Sequence, residues 1–393
     1  MLQNLPEAAP DKIIELIGMF AADARTTKID LGVGVYKDSD GRTPVMRSIK
    51  TAEQRLVASQ DSKSYVGLLG DQAFCDAIRG LVLGDAVPAD HVVAAQTPGG
   101  TGAIRQLYEI IQKAAPEATI WMSDPTWPNH PAIARNMGVA MATYPYLDPE
   151  TLDVDFDAMT AALGAAKQGD VILLHGCCHN PTGANLTVAQ WAVLTDLVRD
   201  KGLLPLIDIA YQGFGDGLDA DAAGLRHMAA RVPEMLLAAS CSKNFGVYRD
   251  RVGVMMAISG DPAVLALTKG SMAMVNRLNY SFPPDHGAKV VQMVLADDDL
   301  RADWLAELEQ MRRNMLDLRQ GLADALRRET NSDRFDFIAH HRGMFSRLGL
   351  TPDQVVRLRE DHAVYMVGDS RINVAGLRKD ILEQLARSIA AVL

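Results

Sequence analysis

Three short stretches of this 393-residue chain hold residue types that could do chemistry together. Gln96-Thr-Pro-Gly-Gly-Thr-Gly102 follows an apolar run and leads into the amphipathic stretch Ala103 to Lys113. Glycines at a helix start let backbone N–H groups approach a phosphate, and the helix dipole favours its charge. The stretch lacks the Gly-Lys-Ser/Thr ending of a nucleotide P-loop, and its glycine spacing is not that of a dinucleotide fingerprint. Asp208-Ile-Ala-Tyr211 ends a second apolar run, where a carboxylate is costly unless a cation or strong donor meets it. Ser240-Cys-Ser-Lys243-Asn-Phe-Gly246 ends a third, with Arg251 eight residues beyond the lysine. Burial lowers an amine's pKa and leaves it a nucleophile. Singly, each has a plainer reading: a tight turn, an Asp capping the next helix, a solvated lysine. Combined in one pocket, they meet the needs of pyridoxal phosphate, which are a Schiff-base lysine, an acid on the pyridine nitrogen and an anchored phosphate.

These stretches must be positioned by a scaffold, and the hydrophobic pattern supplies one. From about residue 47 to 300, helical patterns alternate with short apolar runs at Val92 to Ala95, Ile120 to Ser123, Val171 to His175, Leu204 to Ile209 and Met235 to Ser240. That alternation predicts an α/β fold with a large, mostly parallel, doubly wound sheet, whose ligands bind beyond the carboxyl ends of the strands. Asp11 to Ala22 reads as an amphipathic helix, Ile29 to Val35 as a strand, and residues 301 to 329 as one long helix with Leu308, Met311, Met315, Leu318 and Leu322 in a stripe. Beyond it, Arg334 to Leu348 alternates as a strand does, Pro352 to Asp361 is helical, Val364 to Val367 and Arg371 to Val374 are strands, and a helix follows. The expected organisation is a large domain over 44–310, a small α+β domain from 11–43 and 311–393, and an N-terminal arm over 1–10.

Composition narrows the function classes. The formal charge of −10 argues against a nucleic-acid surface, which needs clustered Lys and Arg. It leaves room for a small anion in a local positive pocket. Four cysteines are too few for a disulfide scaffold, and no secretory or membrane-spanning stretch is visible, so a cytoplasmic protein is expected. His175-Gly-Cys-Cys-His179 suggests a metal, but four ligands converging from five consecutive residues is sterically implausible, and no metal site is expected.

The fuller motifs resemble the class I aminotransferases. Ser240-Cys-Ser-Lys243-Asn-Phe-Gly-Val-Tyr-Arg-Asp-Arg251-Val-Gly253 is similar to the family's lysine signature. Val33-Gly34-Val-Tyr-Lys-Asp, Ser123-Asp-Pro-Thr-Trp127-Pro-Asn-His130, His175-Gly-Cys-Cys-His-Asn180-Pro-Thr-Gly183 and Asp208-Ile-Ala-Tyr211 resemble its aspartate/aromatic branch. The resemblance implies the type I pyridoxal-phosphate fold and a ping-pong transfer of an amino group. It implies Lys243 as Schiff-base partner and proton carrier, Asp208 on the ring nitrogen, and Tyr211 and Asn180 on the ring oxygen. Trp127 would stack on the ring, while Gly100, Thr101, Ser240, Ser242 and Arg251 would hold the phosphate. Gly34, Trp127, Asn180 and Arg371 would meet the substrate, Arg371 by clamping its α-carboxylate.

Tyr65 and Arg277 would reach the site of a second subunit, so a homodimer is implied. Arg277 matches the family's arginine for a side-chain carboxylate, which implies acceptance of aspartate, glutamate and 2-oxoglutarate. Phe282 departs from the Asn usual in strict aspartate enzymes and removes a polar partner that would fix Arg277. The preferred expectation is an aromatic-amino-acid aminotransferase that also accepts aspartate, with a strict aspartate aminotransferase as the alternative. A nicotinamide dehydrogenase or a small-molecule-binding protein would leave Lys243 without a role.

Overall fold

The computed structural model describes residues 1–5 and 12–393. Its strands are β1 (Ile29–Asp30), β2 (Val92–Pro98), β3 (Ile120–Asp124), β4 (Met141–Pro145), β5 (Val171–His175), β6 (Leu204–Ile209), β7 (Glu234–Ser240), β8 (Val252–Ser259), β9 (Phe345–Arg347), β10 (Val364–Tyr365) and β11 (Arg371–Asn373). Seven form one sheet in the order β2-β8-β7-β6-β5-β3-β4. All its pairings are parallel except those of β8, which runs antiparallel to both β2 and β7. Both faces are covered, and the period-two geometry of a strand deals residues to each in turn. Along β5, Val171 and Leu173 enter one core while Ile172 and Leu174 enter the other. Because both faces are apolar, these strands read as continuous runs rather than as alternations.

Helix ends are set locally. The Val188–Lys201 helix starts with a capping box between Thr187 and Gln190 and stops at Gly202, whose φ of 62° only glycine adopts readily. The long helix Asp298–Thr330 gives Leu308, Met311 and Met315 to the sheet's core and Leu318, Leu322 and Leu326 to another. This second core joins the two ends of the chain: Ile29 pairs with Val364 in parallel, and Ile372 and Ile389 pack around them. The Lys12–Ala22 helix docks Leu16 and Phe20 against Tyr365. Among the described residues, no helix is long and apolar enough to cross a membrane.

Some elements differ from expectation. The strand expected over Ile29 to Val35 stops at Asp30, whose carboxylate takes the Gly32 N–H, while the Asn373 amide donates to the Val33 and Val35 carbonyls in place of a ladder. The strand expected over Arg334 to Leu348 is a turn, a short helix Phe337–His340 and only then β9, because a buried arginine on the long helix collects the carbonyls. Strands β4 and β8 were not anticipated. The start of the first helix at Asp11 and residues 6–10 of the expected arm lie outside the described residues.

Candidate active site

Strands β2, β5, β6 and β7 deliver their carboxyl ends to one edge of the sheet, and there a cavity of about 200 Å³ opens. Asp208 lies near the end of β6 beside His175, the last residue of β5. Ser240 closes β7, and Gly99 follows β2 directly. Eleven of the residues singled out from sequence line this one cavity. They are Gly34, Gly100, Thr101, Trp127, Asn180, Asp208, Tyr211, Ser240, Ser242, Lys243 and Arg251, brought from six separate stretches of chain.

One end of the cavity gathers open N–H groups and a guanidinium, a combination that suits an anion. The Gly99–Ala114 helix has no side-chain cap, so its first N–H groups stay open to a ligand. Gly99 has a φ of 70°, and a Cβ there would lie 2.5 Å from the Arg251 Nη2; at Gly100 it would lie 3.0 Å from the Ser240 Cβ. The absence of side chains therefore lets the helix start, Ser240 and Arg251 share one small space. Arg251 itself takes a φ of 56°, a conformation costing a non-glycine residue about 1–2 kcal/mol. The resulting turn sends its guanidinium to Ser242 Oγ at 3.3 Å and the Tyr248 carbonyl at 3.1 Å.

The other end holds a buried carboxylate tied into a line of hydrogen bonds. Asp208 Oδ2 lies 2.9 Å from His130 Nε2, His130 Nδ1 lies 2.9 Å from Thr126 Oγ1, and Thr126 Oγ1 lies 3.2 Å from His175 Nε2. A carboxylate can only accept, so His130 donates Nε2–H to Asp208. Thr126 Oγ1 links His130 Nδ1 to His175 Nε2. Burial pushes His175 down to about 3, so the chain ends in a neutral ring. Burial would raise Asp208, but the His130 hydrogen bond and nearby positive charge outweigh it and hold the carboxyl below the usual range. Sequence spacing offered no sign of this relay, because its members come from different strand ends. Tyr248 also lines the cavity; it lies inside the lysine stretch itself, where its type alone did not single it out.

Between these ends stands Lys243, its Nζ 4.9 Å from the Tyr211 ring centre. Burial, with Arg251 repulsion added, pushes its pKa down to about 8 against the pull of Asp208. The free amine should therefore gain population as pH rises through 8, far below the range of a solvated lysine. Reductive ¹³C-methylation of cofactor-free protein, followed by NMR titration, should give a Lys243 midpoint near 8; a midpoint near that of surface lysines would contradict this. Burial, and then the Asp208 charge, raise the Tyr211 hydroxyl, which accepts from Asn180 Nδ2 at 3.3 Å. Asn180 Oδ1 is buried without a partner.

Three expected residues stand outside the cavity wall. Arg371 is 5% exposed beside it; burial lowers its pKa against the pull of Asp369, whose carboxylate accepts the Arg371 backbone N–H, and then of Tyr211. It donates Nη2–H to the Gly32 carbonyl, and its Nε has no partner. Tyr65 and Arg277 lie together in a separate surface cleft, with Tyr65 84% exposed and stacked on Phe282 at 4.7 Å.

The thiols of Cys177 and Cys178 do point the same way, within 4.8 Å of each other and of an Asp221 oxygen. Cys178 reaches this with a φ of 51°. Yet Asp221 already accepts backbone N–H groups of Gly213, Gly215 and Asp216. The contact with Cys178, then burial, push the Cys177 thiol well up; in Cys178 that contact lowers it, and burial together with the Asp221 charge outweighs the contact. Two protonated thiols and a saturated carboxylate make a packed cluster rather than a donor set for a cation.

The donor set suits a phosphorylated pyridine aldehyde at every point: open helix N–H groups and Arg251 for the phosphate, an ionised Asp208 for the ring nitrogen, an orphaned Asn180 oxygen, and a lysine with an accessible free amine. The chain matches the family described as aminotransferase class I and II over residues 26–389. It is 56% identical over 392 residues to an aromatic-amino-acid aminotransferase of Paracoccus denitrificans, with 100% of each chain covered. An aspartate aminotransferase of Escherichia coli (strain K12) is 43% identical over 396 residues, again with 100% of each covered. A solved structure of an aromatic-amino-acid aminotransferase from Burkholderia pseudomallei, covalently bound to pyridoxal phosphate, superimposes with a TM-score of 0.97 at 41% identity, covering 100% of this chain and 99% of that one.

Proposed function

Because the chain belongs to the class I and II aminotransferases, we propose that its cavity residues divide the work of amino transfer as follows. The protein is a pyridoxal-phosphate enzyme that exchanges an amino group between an amino acid and a 2-oxo acid. When bound, the cofactor supplies a carbonyl that takes the amino group and a protonated ring that spreads the electron pair left by Cα–H cleavage. Gly100, Thr101, Ser240, Ser242 and Arg251 hold the phosphate. Asp208, oriented by His130, holds the proton on the ring nitrogen. Asn180 and Tyr211 hydrogen-bond the ring oxygen, and Trp127 covers the ring face. Lys243 anchors the cofactor, then its Nζ takes the proton from the substrate Cα and later returns one. Gly34 borders the substrate, whose α-carboxylate Arg371 grips in a bidentate fork.

The substrates proposed are aromatic and dicarboxylic L-amino acids with 2-oxoglutarate as acceptor. The observation that carries this is Arg277. It has no carboxylate partner among the described residues, reaches only Ser281 Oγ at 3.4 Å, and lies 6.0 Å from the Phe282 ring centre. An arginine so loosely tethered can meet a side-chain carboxylate or yield its place to an aromatic ring. Purified enzyme should turn over phenylalanine and aspartate comparably. Arg277→Ala should cost roughly 100-fold on aspartate, the scale of a lost buried charge pair, and under about tenfold on phenylalanine. No activity on phenylalanine or tyrosine would make it a strict aspartate enzyme.

The active unit proposed is a homodimer in which Tyr65 and Arg277 complete the partner's cavity. Its support is that both residues are exposed and line a cleft separate from their own cavity, and that Met274 and Leu278 of the Pro262–Asn279 helix, which carries Arg277, are exposed as well. The change of core along the long helix supports two units, proposed as 44–310 and as 11–43 with 311–393, but it falls between Met315 and Leu318 rather than at 310. Four free, buried cysteines support a cytoplasmic, reducing setting, with neither nucleic acid nor membrane as partner.

A further inference from the structure

Arg319 is fully buried on the long helix, where the two cores meet, and has no carboxylate partner among the described residues. A buried cation is costly unless dipoles replace the water it has lost. Here one short segment supplies them to both Nη atoms, while Nε is buried without a partner. Arg319 Nη1 donates to the Ile338 carbonyl at 3.2 Å and Ser346 Oγ at 2.8 Å, and Nη2 donates to the Gly343 and Phe345 carbonyls at 2.8 and 2.7 Å. Burial pushes its pKa down to about 9, which still leaves it protonated at neutral pH.

The segment so gathered carries Phe345. Its ring centre lies 4.6 Å from the Arg371 guanidinium carbon, it meets the Tyr211 ring edge-on at 6.1 Å, and a Cβ on Gly34 would come within 2.9 Å of it. Strand β9, which begins at Phe345, pairs with β11 through only three residue pairs, among them Arg371 with Arg347. A ladder this short cannot fix an aromatic ring without outside support. We propose that Arg319 is a positioning residue for substrate recognition: its planar fork holds the Phe345 backbone so that the ring forms the platform under Arg371. The inference rests on the reading of Arg371 as the α-carboxylate clamp. Only arginine offers donors in a fixed plane that reach four acceptors at once; lysine offers a single ammonium.

The test compares substrates with and without an α-carboxylate. Cofactor-loaded wild-type, Arg319→Lys, Arg371→Lys and double-variant proteins are assayed in single-turnover half-reactions with phenylalanine and 2-phenylethylamine, and by calorimetry for 3-phenylpropionate binding. Arg319→Lys should lower the phenylalanine-to-phenylethylamine ratio at least tenfold, chiefly through the half-saturating concentration, and weaken 3-phenylpropionate by a similar factor. Arg371→Lys should lower the ratio further, and adding Arg319→Lys to it should change the ratio less than twofold. Equal losses on both amines, or losses that multiply in the double variant, would overturn the proposal. An unaltered ratio in Arg371→Lys would instead overturn the reading of Arg371 itself. Should Arg319→Lys fail to fold, Phe345→Leu, which removes the platform but leaves the arginine, must show the same ratio loss.

Discussion

Lys243→Ala should lower turnover by roughly 10⁴-fold or more, since it removes both an anchor and a proton carrier, and proton transfer alone typically contributes about 10²–10⁴. Cofactor should still bind non-covalently, because the open Gly99–Ala114 helix start, Arg251 and Asp208 are untouched. Steady-state kinetics with equilibrium dialysis of pyridoxal phosphate would show a saturable but inert protein. Turnover within tenfold of wild type would remove Lys243 from the mechanism. The same variant tests the shared site. A chain lacking Lys243 still offers its own Arg277 to a partner, so refolding it together with Arg277→Ala should restore aspartate turnover in the hybrid. Two independent sites would give no recovery.

Asp208→Ala should cost several powers of ten in kcat, measured at saturating cofactor. An ionised carboxylate facing a ring nitrogen is a buried charge pair, and truncating one partner of such a pair costs about 2–5 kcal/mol. The loss also leaves the His130 Nε2–H with no acceptor, at the far end of a hydrogen-bonded line reaching His175. A kcat near wild type would show that the ring nitrogen needs no negative partner. His130 should behave as a lesser version of the same defect, since Asp208 would keep its charge while losing its orientation.

Much of this was legible in the sequence, and the rest was hidden for physical reasons. The runs that became β5, β6 and β7 are buried on both faces, so apolar continuity marked them, and the residues after each run proved to line the cavity. β4 shows only Tyr144 fully buried among exposed neighbours, which erases the signal of a core strand. β8 is buried throughout, but it follows the lysine stretch so closely that its apolar residues read as part of that motif. The alternation from Arg334 to Leu348 was real, but a strand needs its carbonyls for a ladder, and Arg319 takes them. The Asp208–His130 contact joins residues 78 apart, which no spacing rule reaches. Tyr65 and Arg277 were legible only through family resemblance, and a single chain leaves them away from the cavity they were assigned to.

The pairing of β1 with β10 also orders events during synthesis. All residues lining the cavity lie between Gly34 and Arg251, so they leave the ribosome well before the Arg319 fork, the Phe345 ring and Arg371 are made. The N-terminal strand must then wait, with Ile29 and Leu31 unburied, for a partner made near the end of the chain. The reactive amine is thus older than the guanidinium that chooses what reaches it. A chain stopped short of β10 would lack the proposed α-carboxylate clamp, whatever the state of its lysine.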